Sequence, residues 1–369
     1  MHRTLLYKLT FVLAVSLMLT AINLYSVISI KSGLDFVLGK IDNITLKKSD
    51  SSLETVYCDG DIYFTGDIML ARHVETLSSE HGSDYMFEGL DFLKEADCVV
   101  ANFEGSIPTE HVQTPDFTFN FSVDNTNISA LTNAGFTHLS LANNHSYDFG
   151  ELGYSNTLSV LKGEGFTSFG HPNTIATSSV TFIDTNNSRV ALIAINTIGQ
   201  TIDHEDTKNT LSWATTQSSK QIVYIHWGNE YKLNQSEQQQ DLAKELISDG
   251  ADLIIGHHPH VTQGIEQIDG VPVIYSLGNL VFDQYFSQDV QQGLIVAIDF
   301  QNNLTVNLYP ITSMQNISQP HLMSEKQKVT FLEKLTKHSP PNLKDAIISG
   351  QITQRSELAS SRETVIMTP

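Results

Sequence analysis

The stretch LIIGHHPHV, Leu253 to Val261, ends an apolar run at a glycine and then sets His257, His258 and His260 within four positions, in a chain with 14 histidines among 369 residues. Imidazole crowded in this way suits divalent-metal binding or proton transfer. Residues two apart on an extended chain point the same way, and a residue before proline is biased toward extended geometry. Pro259 is therefore expected to turn His258 and His260 to one side, with His257 facing away as an outer residue rather than a third ligand.

Four other strand ends finish in similar chemistry: YFTGDIML with Asp67, VVANFEGS with Asn102 and Glu104, LSLANNHSYDFG with Asn144, His145 and Asp148, and VYIHWGNEY with His226. Ligands of open α/β sheets sit beyond the carboxyl ends of the strands, so these loops can converge on one site. Imidazole with carboxylate and amide oxygen suits manganese, zinc or iron, and the lack of nearby cysteine disfavours a thiolate site. Two such ions polarise a phosphoryl oxygen and generate hydroxide, the machinery of phosphate-ester hydrolysis. No Gly-x-Ser-x-Gly elbow or phosphate-binding glycine loop is present, which weakens serine-hydrolase and nucleotide-motor readings.

The elements that must position these residues are short β-rich runs at Ile62–Thr65, Cys98–Phe103, His138–Leu141, Val190–Ile195, Ile222–Ile225, Leu253–Ile255 and Val271–Leu277. Helical patterns lie between several of them, at Phe87–Ala96, Ile128–Ala134, Tyr154–Gly163 and Ser236–Ser248. Alternation of this kind predicts an α/β fold. Gly293–Phe300 and Leu304–Tyr309 predict an antiparallel hairpin in a mixed sheet, and Lys326–Lys337 a further helix.

The net charge is -20, from 21 basic and 41 acidic residues, and the mean field of the chain excludes nucleic acid as a partner. Bound metals reverse the sign locally and admit an anionic substrate. Leu9 to Ile30 carries no charge and matches the length of a membrane-crossing helix. Arg3 and Lys8 precede it, which predicts a single-pass anchor in the cytoplasmic membrane with the N-terminus inside and the main domain extracytoplasmic. The run is long for a cleaved signal peptide and no clear cleavage site follows. The expected organisation is an anchor over 1–31, a polar stalk over 32–56, the main domain over 57–312 and a C-terminal helix and tail over 313–369. Cys58 and Cys98 can pair in an oxidising compartment, although two separate buried thiols are the default expectation.

The motif series resembles that of the calcineurin-like metallophosphoesterases, and NNHSYDFG is similar to the Gly-Asn-His-Glu-Phe-Asp-x-Gly of 5′-nucleotidases. More closely, GDIML, NFEGS, NNHSYDFG, HWGNEY, GADLIIGHHPHV and YSLGNLVFD together resemble the poly-γ-glutamate capsule-synthesis (CapA) family over Ile62 to Asp283. The resemblance implies a metallophosphoesterase-like four-layer sandwich, two mixed β-sheets flanked by helices. It also implies capsule polymer synthesis or export beside synthase subunits, with an anionic polymer or a phosphate ester as substrate.

Carried over by position, the resemblance makes Asp67, Glu104, Asn144, His226, His258 and His260 metal ligands. It makes His145 the residue that protonates the leaving oxygen or stabilises the transition state, with Asp148 orienting it. Arg72, Asn102 and His257 fall on the substrate side; for Arg72 a solvated surface arginine is an equal alternative. Two departures stand out. Met69 occupies the place of the histidine in Asp-x-His, and Glu104 replaces the bridging aspartate. The expectation is one firm ion on Glu104, Asn144, His226 and His258, and a weaker or empty position on Asp67, Glu104 and His260. A hydrolase is the leading reading; a non-catalytic polymer-binding accessory subunit and a periplasmic nucleotidase-like phosphatase are the alternatives.

Overall fold

A computed structural model describes residues 56–300 and 303–354. The anchor expected at Leu9–Ile30 and most of the stalk lie outside the described residues. Among the described residues no helix is long and apolar enough to cross a membrane.

The first eight strands are β1 (Val56–Cys58), β2 (Ile62–Ile68), β3 (Cys98–Phe103), β4 (His138–Ser140), β5 (Thr167–Phe169), β6 (Thr181–Thr185), β7 (Arg189–Asn196) and β8 (Lys220–His226). They continue with β9 (Leu253–His257), β10 (Ile265–Ile268), β11 (Val271–Ile274), β12 (Asn279–Val281), β13 (Gln292–Asp299), β14 (Thr305–Thr312), β15 (His321–Leu322) and β16 (Gln351–Thr353). One sheet runs β1-β6-β7-β8-β9-β11-β10, and the other β15-β14-β13-β2-β3-β4-β5, with β12 pairing β2 and β16 pairing β14. Both sheets are mixed. In the first, β7, β8, β9 and β11 are parallel; in the second, β2 through β5 are.

The sequence explains the layering. Strands covered on both faces read as near-continuous apolar runs, as β7 (RVALIAIN) and β9 (LIIGH) do. One apolar cluster lies between the sheets, where the rings of Phe64 and Tyr224 sit 5.8 Å apart and the Tyr224 hydroxyl donates to the Thr65 carbonyl at 2.5 Å. A second covers the outer face of β2 to β4 with α1 (Arg72–His81), α2 (Ser129–Asn133) and α3 (Gly150–Gly163). A third joins β7 and β8 to α4 (His204–Gln217) and α5 (Glu237–Ser248). Helix, sheet, sheet and helix therefore stack as four layers.

The capping chemistry of α5 is legible: Ser236 accepts from the Gln239 amide, and the Gln239 side chain accepts from the Ser236 amide. The expected hairpin is present, with Gly293 opposite Ile311 and Asp299 opposite Thr305. Residues 313–354 also join the core, through β15, α6 (Glu325–Leu335), α7 (Lys344–Ser349) and β16, where Ile352 is buried.

Three expectations need correction. Phe87–Ala96 is not an α-helix but part of a 3-10 segment, Ser83–Glu95, broken at Leu90. The run Val271–Leu277 stops at Ile274, after which the chain crosses to the other sheet and forms β12 beside β2. Cys58 and Cys98 are not separate thiols: they form a disulfide with Cα atoms 5.9 Å apart, because Ile62 and Cys98 are partners in the β2–β3 register and Cys58 lies just before that strand.

Candidate metal centre

Asp67 closes β2, and its neighbour Gly66 explains how the strand can end there. A Cβ on Gly66 would lie 1.7 Å from the carbonyl oxygen of Gly278, so only glycine lets β2 meet the crossover turn that feeds β12. The Asp67 amide donates to that same carbonyl at 3.2 Å. Gly256 does the same for β9, where a Cβ would lie 2.1 Å from the Tyr275 carbonyl oxygen and 2.3 Å from Trp227 Nε1. Trp227 is accordingly a core residue, donating to Tyr275 O at 2.8 Å.

The Asp67 carboxylate ties the two sheets together. Oδ1 accepts from Asn102 Nδ2 at 2.7 Å and lies 3.3 Å from His257 Nδ1; Oδ2 accepts from the His258 amide at 3.0 Å and lies 3.6 Å from His260 Nδ1. Burial opposes its charge, but the hydrogen bonds from His257 and His260 outweigh burial and hold it well below the usual carboxylate range.

Glu104, just past β3, is the opposite case. It is 1% exposed and, among the described residues, neither of its carboxylate oxygens has a hydrogen-bond partner. Its neighbours are His145 Nε2 at 3.7 Å and His260 Nε2 at 4.0 Å. Burial, then the charge of Asp67, hold its carboxyl well above the ordinary value. Buried carboxylate oxygens are normally hydrogen-bonded, so an unpartnered pair facing imidazoles has the donor set of a cation ligand.

The histidines complete the set. His226 Nε2 lies 2.7 Å from Asn144 Oδ1, and its Nδ1 lies 2.7 Å from His257 Nδ1. Burial, then the charge on His260, press His258 down to about 3, which leaves it neutral, and its Nδ1 has no partner. For His260 burial works downward, but Glu104 and Asp67 outweigh it and hold the ring at about 9. The ligand atoms of Asp67, Glu104 and His260 close to within 4.8 Å of one another, as do those of Asp67, His226 and His257, and those of Glu230, His258 and His260. Each triad can hold a metal ion.

Among the described residues the acid and histidine triads set Glu104 with Asp67 and His260, the set expected for the weaker position, and none joins it to both His226 and His258. The reason for the convergence of His258 and His260 also differs from the expectation. Neither residue is extended: φ is 97° at His258 and 57° at His260. This left-handed turn is held by the His258 amide on Asp67, by the Tyr231 amide on Pro259 O at 2.8 Å, and by Asn279 Oδ1 against His260 Nδ1 at 2.9 Å.

His145 stands beside the centre. Asp148 Oδ2 accepts from the Phe121 amide at 2.6 Å and lies 3.0 Å from His145 Nδ1. A carboxylate is acceptor-only, so Nδ1 carries the proton there and Nε2 is the atom that faces Glu104.

Of the three residues expected on the substrate side, two are buried behind Asp67 and the third, Arg72, lines the cavity beside the centre. Asn102 and His257 are fully buried behind Asp67 and act on its carboxylate and on His226. His257 does not face away from the site, because β9 pairs in register with β8 and sets it opposite His226. Arg72 is buried in an ion pair with Asp283 and lies over the Phe121 ring at 4.6 Å, so its charge is already matched. Met69, in the place of a ligand histidine, is a core residue whose sulfur accepts from the Ala71 amide at 3.0 Å.

Glu230 is the residue the sequence did not single out. Its only signal is an acid four positions after His226, on a loop that nothing in the residue pattern directs back toward His258.

Residues 61–284 match the family described as bacterial capsule synthesis protein PGA_cap. The chain is 31% identical to the capsule biosynthesis protein CapA of Bacillus anthracis, over 74% of this chain and 72% of that one. It is 29% identical to the PGA biosynthesis protein CapA of Bacillus subtilis strain 168, over 79% and 80%. Among solved structures, one described as a novel phosphatase from Mycoplasma pneumoniae superposes with a TM-score of 0.42 and 12% identity over 72% of this chain and 91% of that one, a likeness too distant to weigh. Six motifs in order, the match over 61–284 and the Bacillus relatives agree, and the chain belongs to the bacterial capsule synthesis family of CapA proteins.

Proposed function

We propose that this protein serves the synthesis or export of a poly-γ-glutamate-type capsule polymer from the outer side of the cytoplasmic membrane, held there by an anchor at Leu9–Ile30, and that its site is a metal-dependent hydrolase centre. The observation that carries the hydrolase reading is Glu104: a buried carboxylate with no hydrogen-bond partner, set among Asp67, His145 and His260. The uncharged N-terminal run supports the anchor, and a Cys58–Cys98 disulfide suits an oxidising, extracytoplasmic compartment.

Asp67, Glu104 and His260 would hold one divalent ion, of manganese, zinc or iron, and Asn144, His226 and His258 supply donors for a second. Bound there, such an ion polarises a phosphoryl or acyl oxygen and lowers the pKa of water. The chain's own residues do the rest. Asp148 accepts from His145 Nδ1–H, and the imidazolium form of His145, which carries a second proton on Nε2, would donate that proton to the leaving oxygen or amine and return to the neutral Nδ1–H tautomer. Asn102 and His257 hold Asp67 in place and exclude water behind it.

A panel of phosphate mono- and diesters and a γ-glutamyl peptide, assayed with Mn2+, Zn2+ and Fe2+, tests the proposal. We expect turnover that falls by about 100-fold or more in His145→Ala. Absence of turnover with every metal, together with chelator-sensitive polymer binding, would establish the second reading, an accessory subunit that binds polymer without cleaving it. Met69 favours that reading, since it removes a ligand that a two-metal phosphatase would use.

A further inference from the structure

The metal centre opens into a cavity of about 720 Å³ with His145 and His260 in its wall. Its outer rim is aromatic and exposed. Phe117 is 92% and Phe119 74% exposed; Phe286, also in the lining, is 67% exposed and meets Tyr231 edge-on with ring centroids 5.1 Å apart. Four large rings left in water around one opening are the mark of a surface that binds something.

The Phe117 side of the rim is built. The loop that carries Phe117 and Phe119 is pinned to α1 by His111, whose Nε2 lies 2.8 Å from Glu75 Oε1 and whose Nδ1 lies 2.8 Å from Ser122 Oγ. Thr114 Oγ1 closes the loop by donating to Asn120 O at 3.0 Å. Phe117 itself adopts φ 65°, a left-handed conformation that is unusual for a bulky side chain and is found where the surrounding structure imposes it.

The charges point the same way. Among the lining residues Arg72 alone has a fixed positive charge, and Asp283 pairs with it, while Asp116 and Glu230 are acidic. Away from the metal centre the cavity therefore repels carboxylates and offers stacking faces.

We propose that the cavity takes a ligand with a single anionic group, bound at the metal centre, on an apolar planar body that stacks on the rim, and that it rejects a run of carboxylates. This rests on the metal-centre reading above and narrows it: the ligand that enters is not a stretch of poly-γ-glutamate chain.

The test uses non-hydrolysable probes with the full-length chain loaded with Mn2+, by calorimetry. The probes are 2-naphthylphosphonate, methylphosphonate and tri-γ-glutamate. We expect 2-naphthylphosphonate to bind about 30-fold more tightly than methylphosphonate, and tri-γ-glutamate to bind most weakly. In the Phe117→Ala/Phe119→Ala double variant, whose altered side chains are exposed and leave the core intact, the 30-fold ratio falls to about 3-fold while methylphosphonate binds as before. Equal affinities for the two phosphonates, a ratio that survives in the double variant, or tightest binding of tri-γ-glutamate would overturn the proposal. If EDTA leaves the phosphonate affinities unchanged, the metal reading fails, and the naphthyl-to-methyl ratio still decides the role of the rim.

Discussion

Glu104 Oε1 lies 3.7 Å from His145 Nε2, and neither oxygen of Glu104 accepts a hydrogen bond. Burial, then Asp67, raise its carboxyl well above the ordinary range. Glu104→Gln keeps the shape of the side chain and removes its capacity for charge. In EDTA its unfolding free energy is expected to match wild type within about 1 kcal/mol, whereas the metal-induced stabilisation of wild type, about 4 kcal/mol at saturating ion, is lost. Paired urea titrations with and without Mn2+ measure both.

Metal binding is expected to expel protons. His260 sits at about 9 because Glu104 and Asp67 outweigh its burial, so at neutral pH the ion-free ring is charged and must give up its proton to become a ligand. Affinity therefore rises as pH increases from 6 toward 9. Calorimetry in buffers of different ionisation enthalpy is expected to show on the order of one proton released per ion at pH 7. Proton uptake, or a pH-independent affinity, would contradict the placement of His260 between the two carboxylates.

His138, in β4, is fully buried, its Nε2 lacks a partner, and burial lowers it to about 4 from 6.5. Between those values the unfolded chain binds more protons than the folded one, so stability rises with pH. The contribution is complete above 6.5 and vanishes as pH falls to 4, a difference of about 3 kcal/mol. Urea unfolding in EDTA at pH 7.5 and 5.0 is expected to show about 2 kcal/mol of this loss in wild type and less in His138→Gln, which has nothing to protonate. Equal losses in the two proteins would assign the acid sensitivity elsewhere.

The Cys58–Cys98 disulfide spans 40 positions of chain and ties the segment before β2 to the start of β3. A loop of that length is worth about 4 kcal/mol in the chain-entropy account. A Cys58→Ala/Cys98→Ala double variant is expected to lose about 2 to 4 kcal/mol in urea unfolding and to keep its metal affinity, since both sulfurs lie in the inter-sheet core.

Gly66→Ala tests the crossover that positions Asp67. The added methyl collides with backbone at Gly278 rather than with a movable side chain, so β2 and the turn must separate. The expected result is a loss of about 2 kcal/mol or more, with metal affinity falling alongside it, because Asp67 N and Gly278 O share the displaced contact. A variant with native metal affinity would show that the turn does not place the carboxylate.

The donors were legible because each follows an apolar run that ends in polar residues, and strands in the parallel part of a sheet deliver their carboxyl ends to one edge. Asp67, Glu104, Asn144, His226, His258 and His260 do collect at one place. Which donors come within ligand distance of one another was not legible, since that depends on the left-handed turn at His258 and His260 and on β12 crossing beside Asp67, both set by contacts distant in sequence. Two helices gave no usable pattern. In α4, HEDTKNTLSWATTQ, threonines take half the buried positions, and Asp203 caps the helix without a strong apolar stripe behind it. In α1 the buried face includes Arg72, Glu75 and Ser78, polar residues whose partners Asp283, His111 and Asn127 only the fold brings near. The inward turn of Asn102 and His257 was hidden for a similar reason: sheet register, not residue type, put them behind Asp67.

The most direct measurement is the metal content of the folded protein after equilibrium dialysis against Mn2+, Zn2+ or Fe2+. We predict at least one tightly held ion per wild-type chain and none in Glu104→Gln of equal stability. A folded wild-type protein that retained no ion, or a Glu104→Gln variant that retained the same number, would contradict a cation held by the unpartnered carboxylate.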